Sequence, residues 1–136
     1  MHTRELDIST GARPAVVDVT DQCTAFITQV GATDGLLNLW VPHATAALAV
    51  IETGSGTEQD LLAVLDSLLA TDRGWQHQHG HPGHGRDHVL PALLAPSLTV
   101  PVLGGRLALG TWQSVCLVDL NVDNPARRLR VSLLAG

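Results

Sequence analysis

Five of the chain's seven histidines fall inside one stretch, GWQHQHGHPGHGRDH, residues 74 to 88. Imidazole is a zinc-type nitrogen donor and a proton carrier near neutral pH, so the stretch is either a metal site, a catalytic loop or a solvated surface loop. His77, His79 and His81 alternate, and an extended backbone would put all three on one face. His84 and His88 have the i,i+4 spacing at which one helix face can chelate a cation, but Gly85 between them argues against helix there. Outside the stretch, His43 follows Pro42, which stiffens the backbone at the end of an apolar run.

Rigid elements hold ligand geometry better than one loop does. The expected cation set is therefore His43, His77 and His88, from three separate elements, with zinc as the natural ion and an open fourth position. Glu52 could complete that set or act as a general base on a bound water. His43, Glu52 and His88 are accordingly the catalytic candidates. The competing reading is that His43 and His88 only hydrogen-bond backbone near a sheet. His79, His81 and His84 read as embellishment of a solvated loop that picks up divalent metal adventitiously.

Other residues offer less. Trp112-Gln113, after Gly110-Thr111, reads either as core packing or as a pocket wall for a flat heteroaromatic ring. Trp40 reads as core and Trp75 as loop packing. Arg127, Arg128 and Arg130 form the one cationic cluster, and a solvated strand face is its plain reading; as a phosphate contact, Arg128 is the candidate. Gly54-Ser55-Gly56 before a helix is a weak anion signal, and there is no Walker loop, dinucleotide fingerprint or nucleophile elbow. Cys23 and Cys116 lie in apolar settings and read as small buried hydrophobes without a disulfide.

The elements that must position these residues follow from periodicity and punctuation. Strands are expected at Thr3–Ile8, as a sheet edge, and at Ala15–Val19. A helix capped by Thr20 and closed by Gly31 would bury Cys23, Phe26, Ile27 and Val30. Gly35–Val41 and Ala46–Ile51 read as two buried strands joined at Pro42-His43. A helix capped by Thr57 would bury Leu61, Val64, Leu65, Leu68 and Leu69. A short helix over Asp87–Ala95 would hold Pro91 near its first turn. The remainder is β-rich, with a Gly104-Gly105 turn and a half-buried last strand alternating Leu129, Val131 and Leu133 with Arg128, Arg130 and Ser132. The sum is one α+β domain over residues 1–136, with more strand than helix.

Composition sets outer limits. The 136 residues are 45% apolar, enough for a packed core without staples. A net charge of −5 offers no basic field, and with no Tyr and one Phe the chain lacks stacking platforms, so nucleic acid is not an expected partner. No apolar leader or membrane-length run is present, and a soluble cytoplasmic protein is expected.

SLTVPVLGGRLALGTWQSV, with Ser97, Gly105, Gly110, Thr111, Trp112 and Gln113 at fixed spacing, resembles the signature of the YjbQ family, small proteins often labelled secondary thiamine-phosphate synthases. VPHATAALAVIE is similar to that family's His-Thr-Thr-Ala block followed by an acidic residue, here Glu52. WQH resembles its Tyr-Arg-His, and HVLPALLAPS its His-Leu-Lys-Ala-Ser-Leu-Leu-Gly-Pro-Ser. The match runs in order along nearly the whole chain. The resemblance implies a β-sandwich of mixed or antiparallel sheets flanked by two or three helices, and a homotrimer with sites near subunit contacts. It maps polar family positions onto His43, Glu52, Asp60, His77, His88, Trp112 and Gln113. Thr45, Asp60, Trp112, Gln113 and Arg128 are then the residues expected to bind a small, phosphorylated or heteroaromatic substrate. The implied reaction joins a pyrimidine diphosphate to a thiazole phosphate; a non-enzymatic trimeric module binding metal or a small ligand is the alternative. The chain departs from the pattern at Ala44 and Gln76, which remove a hydroxyl and a cation, and at His79, His81 and His84, where the family carries acidic and Asn residues.

Overall fold

The computed structural model describes residues 1–136. The chain order is β1 (His2–Ser9), β2 (Ala15–Asp18), α1 (Thr20–Val30), β3 (Gly35–Trp40), β4 (Ala46–Ile51), α2 (Thr57–Leu68), α3 (Gly85–Leu94), β5 (Ser97–Leu103), β6 (Arg106–Leu107), β7 (Ser114–Asp119) and β8 (Ala126–Ala135). The strands form a five-stranded sheet, β1-β8-β3-β5-β6, and a three-stranded sheet, β2-β7-β4. Every pairing is antiparallel. The fold is α+β, a sandwich with three helices. No helix is long and apolar enough to cross a membrane.

The small sheet is the middle layer. One of its faces, with Ala46, Leu48, Val115 and Leu117, packs with Leu37, Leu39, Leu129, Val131 and Leu133 of the large sheet and with Cys23, Phe26 and Ile27 of α1. Its other face, with Ala47 and Val118, packs on Leu65 and Leu69 at the end of α2 and Leu90 of α3. Burial on both faces explains why β4 and β7 read as continuous apolar runs, whereas β8, with one wet face, alternates.

The joint at Pro42-His43 is as expected, and it carries the chain from the large sheet to the small one. Several local expectations are corrected. Thr20 and Thr57 are the first helical residues, not caps. Asp18 Oδ1 accepts from both the amide and the hydroxyl of Thr20, and Glu58 reaches back to accept from the Gly54 amide at 2.7 Å. On α2 only half the apolar stripe turns inward: Leu65 is buried, while Val64 and Leu68 are 60% and 52% exposed. Helix α3 begins two residues early, at Gly85, so Pro91 sits well inside it.

Candidate functional site

The histidine stretch is pinned at both flanks. Trp75 packs in the helix-side core, and its indole N–H donates to the Ala70 carbonyl at 2.9 Å. A Cβ on Gly85 would lie 2.5 Å from Trp75 Cβ and 2.9 Å from the His77 carbonyl, so only glycine allows the loop to close onto the start of α3. The amides of His84, Arg86 and Asp87 donate to the carbonyls of His81, Gly83 and His84, winding the loop into the helix. Gly85 therefore opens the helix rather than excluding it, and the i,i+4 pairing of His84 with His88 is realised.

Four imidazoles converge as a result. Each of His77, His79, His84 and His88 presents a ring nitrogen within 4.8 Å of the others. Ring centroids are 3.9 Å apart for His77–His79, 4.3 Å for His77–His88 and 4.8 Å for His84–His88. His84 Nε2 and His88 Nε2 face each other at 3.0 Å. Desolvation in the cluster, then repulsion by the neighbouring imidazoles, lowers the pKa of His77 and His88 below the ordinary histidine value. Two imidazoles that resist protonation keep their nitrogen lone pairs free for a cation. The donor set, four imidazole nitrogens, suits zinc or another borderline divalent ion.

Behind the cluster lies Asp87, which is fully buried. Its Oδ2 is 3.2 Å from His84 Nδ1 and 3.7 Å from His81 Nε2. Burial raises its pKa, against the opposing pull of His81, His84 and Arg86. On the outer side, His81 Nδ1 is 2.6 Å from Asp123 Oδ2, and that contact lowers the Asp123 pKa.

His43 is not in the cluster. Its Nε2 accepts the Arg128 amide at 2.8 Å, the backbone-satisfied role that competed with ligation in the sequence. It nevertheless shares a pocket of about 350 Å³ with His88, lined also by Trp40, Pro42, Pro91 and Pro96. Trp40 is thus a pocket wall, not core. A second pocket, of about 390 Å³, is lined by His77 and His81 on the other side of the loop. The cluster joins the two, because His77 and His88 are themselves neighbours.

The remaining expected residues divide between the two ends of the small sheet. Ala46 pairs with Asp119 at one end, and Ile51 with Ser114 at the other. Glu52, Trp112 and Gln113 flank the second end, roughly 17 Å from His43's end at the usual rise per strand residue. One chain therefore does not bring Glu52 to His43 and His88. Trp112 is 73% exposed in the turn before β7, and Gln113 Oε1 accepts the Gly110 amide at 2.8 Å. Neither Trp112 as core nor a Trp112-walled pocket occurs within the chain. Asp60 is exposed in the first turn of α2.

At His43's end, Thr45 is buried and already occupied. Its hydroxyl accepts from Arg127 Nη2 at 2.9 Å. Arg127 also holds Asp119 in a two-pronged ion pair, 2.6 and 2.9 Å, which accepts Thr10 and the Asn121 amide as well. Arg127 is 2% exposed, so the expected solvated arginine face applies only to Arg128 and Arg130, both paired with Glu5. This network was missed in the sequence; its one signal is Asp119, a lone charge closing the apolar run of β7. Cys23 and Cys116 are free and buried, and burial pushes both thiols up to about 12.

The family described as UPF0047 protein YjbQ-like matches residues 4–136. The chain belongs to that family. It is 54% identical over 136 residues to a UPF0047 protein of Mycobacterium tuberculosis, covering 100% of both chains. It is 32% identical to one of Methanothermobacter thermautotrophicus, covering 98% of this chain and 92% of that one. Its fold is similar to that of a hypothetical protein from Aeropyrum pernix, with a TM-score of 0.91 and 31% identity over the full length of both. A YbjQ-like protein of unknown function from Sulfolobus solfataricus gives 0.92 at 27% identity, covering 99% and 97%. Family membership agrees with the two antiparallel sheets and three helices.

Proposed function

We propose that this protein binds a divalent cation, zinc by donor chemistry, on His77, His79, His84 and His88, and takes a small phosphorylated or heteroaromatic ligand in the adjoining pocket of His43 and Trp40. The observation that carries this reading is the approach of the His84 and His88 Nε2 atoms to 3.0 Å inside a four-nitrogen group. Nitrogens sharing a tetrahedral zinc sit about 3.3–3.4 Å apart, close to this spacing. His43 is replaced as a ligand by His79 and His84, and its role becomes that of a pocket residue oriented by Arg128.

The reaction tested first is the thiamine-phosphate synthase type. The thiazole nitrogen forms a bond to the pyrimidine methylene carbon as the carbon–oxygen bond to pyrophosphate breaks. A bound cation would supply charge stabilisation for that leaving group. Trp40, Pro91 and Pro96 offer flat apolar walls to a ring, and Arg128, at the same end of the sheet, offers a guanidinium to phosphate. The reading takes the protein as a cytoplasmic homotrimer.

One observation favours the second reading, a binding module without turnover: no carboxylate base stands free at the cluster, since Asp87 is buried behind His84 and Glu52 is at the far end of β4. Zinc analysis and a synthase assay on untagged wild type and His88→Ala separate the two. Metal and turnover both lost in His88→Ala support the enzyme. Metal without turnover in the wild type supports the module. No metal in the wild type overturns the cluster as a cation site.

A further inference from the structure

We propose a second cation site beside the first, formed by His81 Nε2, the Asp87 carboxylate and His84 Nδ1, so that the His84 ring bridges two cations through its two nitrogens. The three residues present ligand atoms within 4.8 Å of one another. The spacings of 3.2 Å from Asp87 Oδ2 to His84 Nδ1 and 3.7 Å to His81 Nε2 lie close to the roughly 3.3–3.6 Å separating ligand atoms on a tetrahedral zinc.

An independent observation points to a ligand. Asp87 is 0% exposed, and neither of its oxygens has a hydrogen-bond partner; His84 Nδ1, on a residue 7% exposed, has none either. A buried carboxylate without donors is unfavourable unless a cation meets it. Arg86 fills that role only in part: its Nε lies 3.8 Å from Asp87 Oδ1, an ion-pair distance without a hydrogen bond, and its Nη1 is committed to Asp66 and the Leu69 carbonyl. The outer residue carries the support that metal-binding histidines usually have. Asp123 accepts a hydrogen bond from the Nδ1–H of His81 at 2.6 Å, which leaves the Nε2 lone pair facing Asp87. The ligand set of two nitrogens and a carboxylate suits zinc or copper(II). Filling both sides of His84 releases its ring N–H proton to solvent.

The bridge rests on the four-imidazole reading; the second site does not. Untagged wild type, His81→Ala and His77→Ala are dialysed against zinc chloride and analysed for zinc per chain, with circular dichroism to check the fold. His81 lies on the loop surface, so its removal leaves the core untouched. The expected result is two zinc ions in the wild type and one in each variant. With copper(II), the wild type should show an exchange-coupled pair by electron paramagnetic resonance, and His81→Ala an isolated ion. One zinc in the wild type, kept by His81→Ala and lost by His77→Ala, overturns the second site and leaves the first; Asp87 would then only orient His84. Two zinc ions unaffected by His81→Ala overturn it as well. No zinc in the wild type overturns both sites.

Discussion

His43 holds its ring neutral because its Nε2 accepts an amide proton from Arg128; a protonated Nε2 would point one N–H at another. Burial first, then the Arg127 and Arg128 charges, depresses its pKa below 6.5. A depressed folded-state pKa means that the stabilisation is complete above 6.5 and is lost as pH falls through the folded value, because the unfolded chain takes up the proton first. In His43→Gln the amide oxygen can accept the same bond at any pH. The stability gap between wild type and variant in urea should therefore be greatest near pH 8 and shift against the wild type toward pH 5, the other histidines cancelling in the comparison. A constant gap would show that His43 does not titrate through this bond. Residue types pointed to histidine chemistry in the sequence, but spacing alone could not show which imidazoles converge. His84 reached the cluster only because Gly85 starts a helix, and Thr45 left the ligand pocket because Arg127, far along the chain, claimed its hydroxyl.

Two junctions fix α3, and each is testable at the scale of the element. Gly85→Ala forces a Cβ into Trp75 and the His77 carbonyl. Overpacking of this kind costs about 1–3 kcal/mol. The variant should melt lower and bind zinc more weakly in calorimetry, although no ligand is altered; unchanged zinc affinity would mean that the loop holds its shape without this contact. At the other end, Ala95 has φ 70°, the chain's only non-glycine residue in that region. Its carbonyl accepts the Leu48 amide, and that of Pro96 accepts Val41, so the strained turn ties both sheets to α3. Ala95→Gly should stabilise by about 0.5–1 kcal/mol in urea unfolding. Most elements were legible because apolar period and Gly/Pro punctuation mark them. Helix starts were not, because Asp18 rather than Thr20 supplies the oxygen at the start of α1, and α2 starts after Gly56 with no side-chain cap.

At the scale of the molecule, the large sheet leaves an apolar strip in water. Leu36 pairs with Leu134 on one side and Pro101 on the other, and all three are exposed. Contiguous apolar surface of this kind marks contact sites. For the trimer we expect, light scattering should give the mass of three 14.4 kDa chains. Leu36→Glu with Leu134→Glu should shift it toward one chain; a monomeric wild type would contradict the trimer, and an unchanged double variant would place the contact elsewhere. Sheet order was the least legible feature, since pairing His2 with Leu133 leaves no local trace. That pairing governs how the protein comes into being. β8 lies between β1 and β3, so the large sheet is split until residues 126–135 have been made. His43 lacks its amide donor and Thr45 its arginine until the same moment. A ribosome-bound chain stalled before residue 126 should remain protease-sensitive throughout, with folding and site assembly arriving together after the last strand is released.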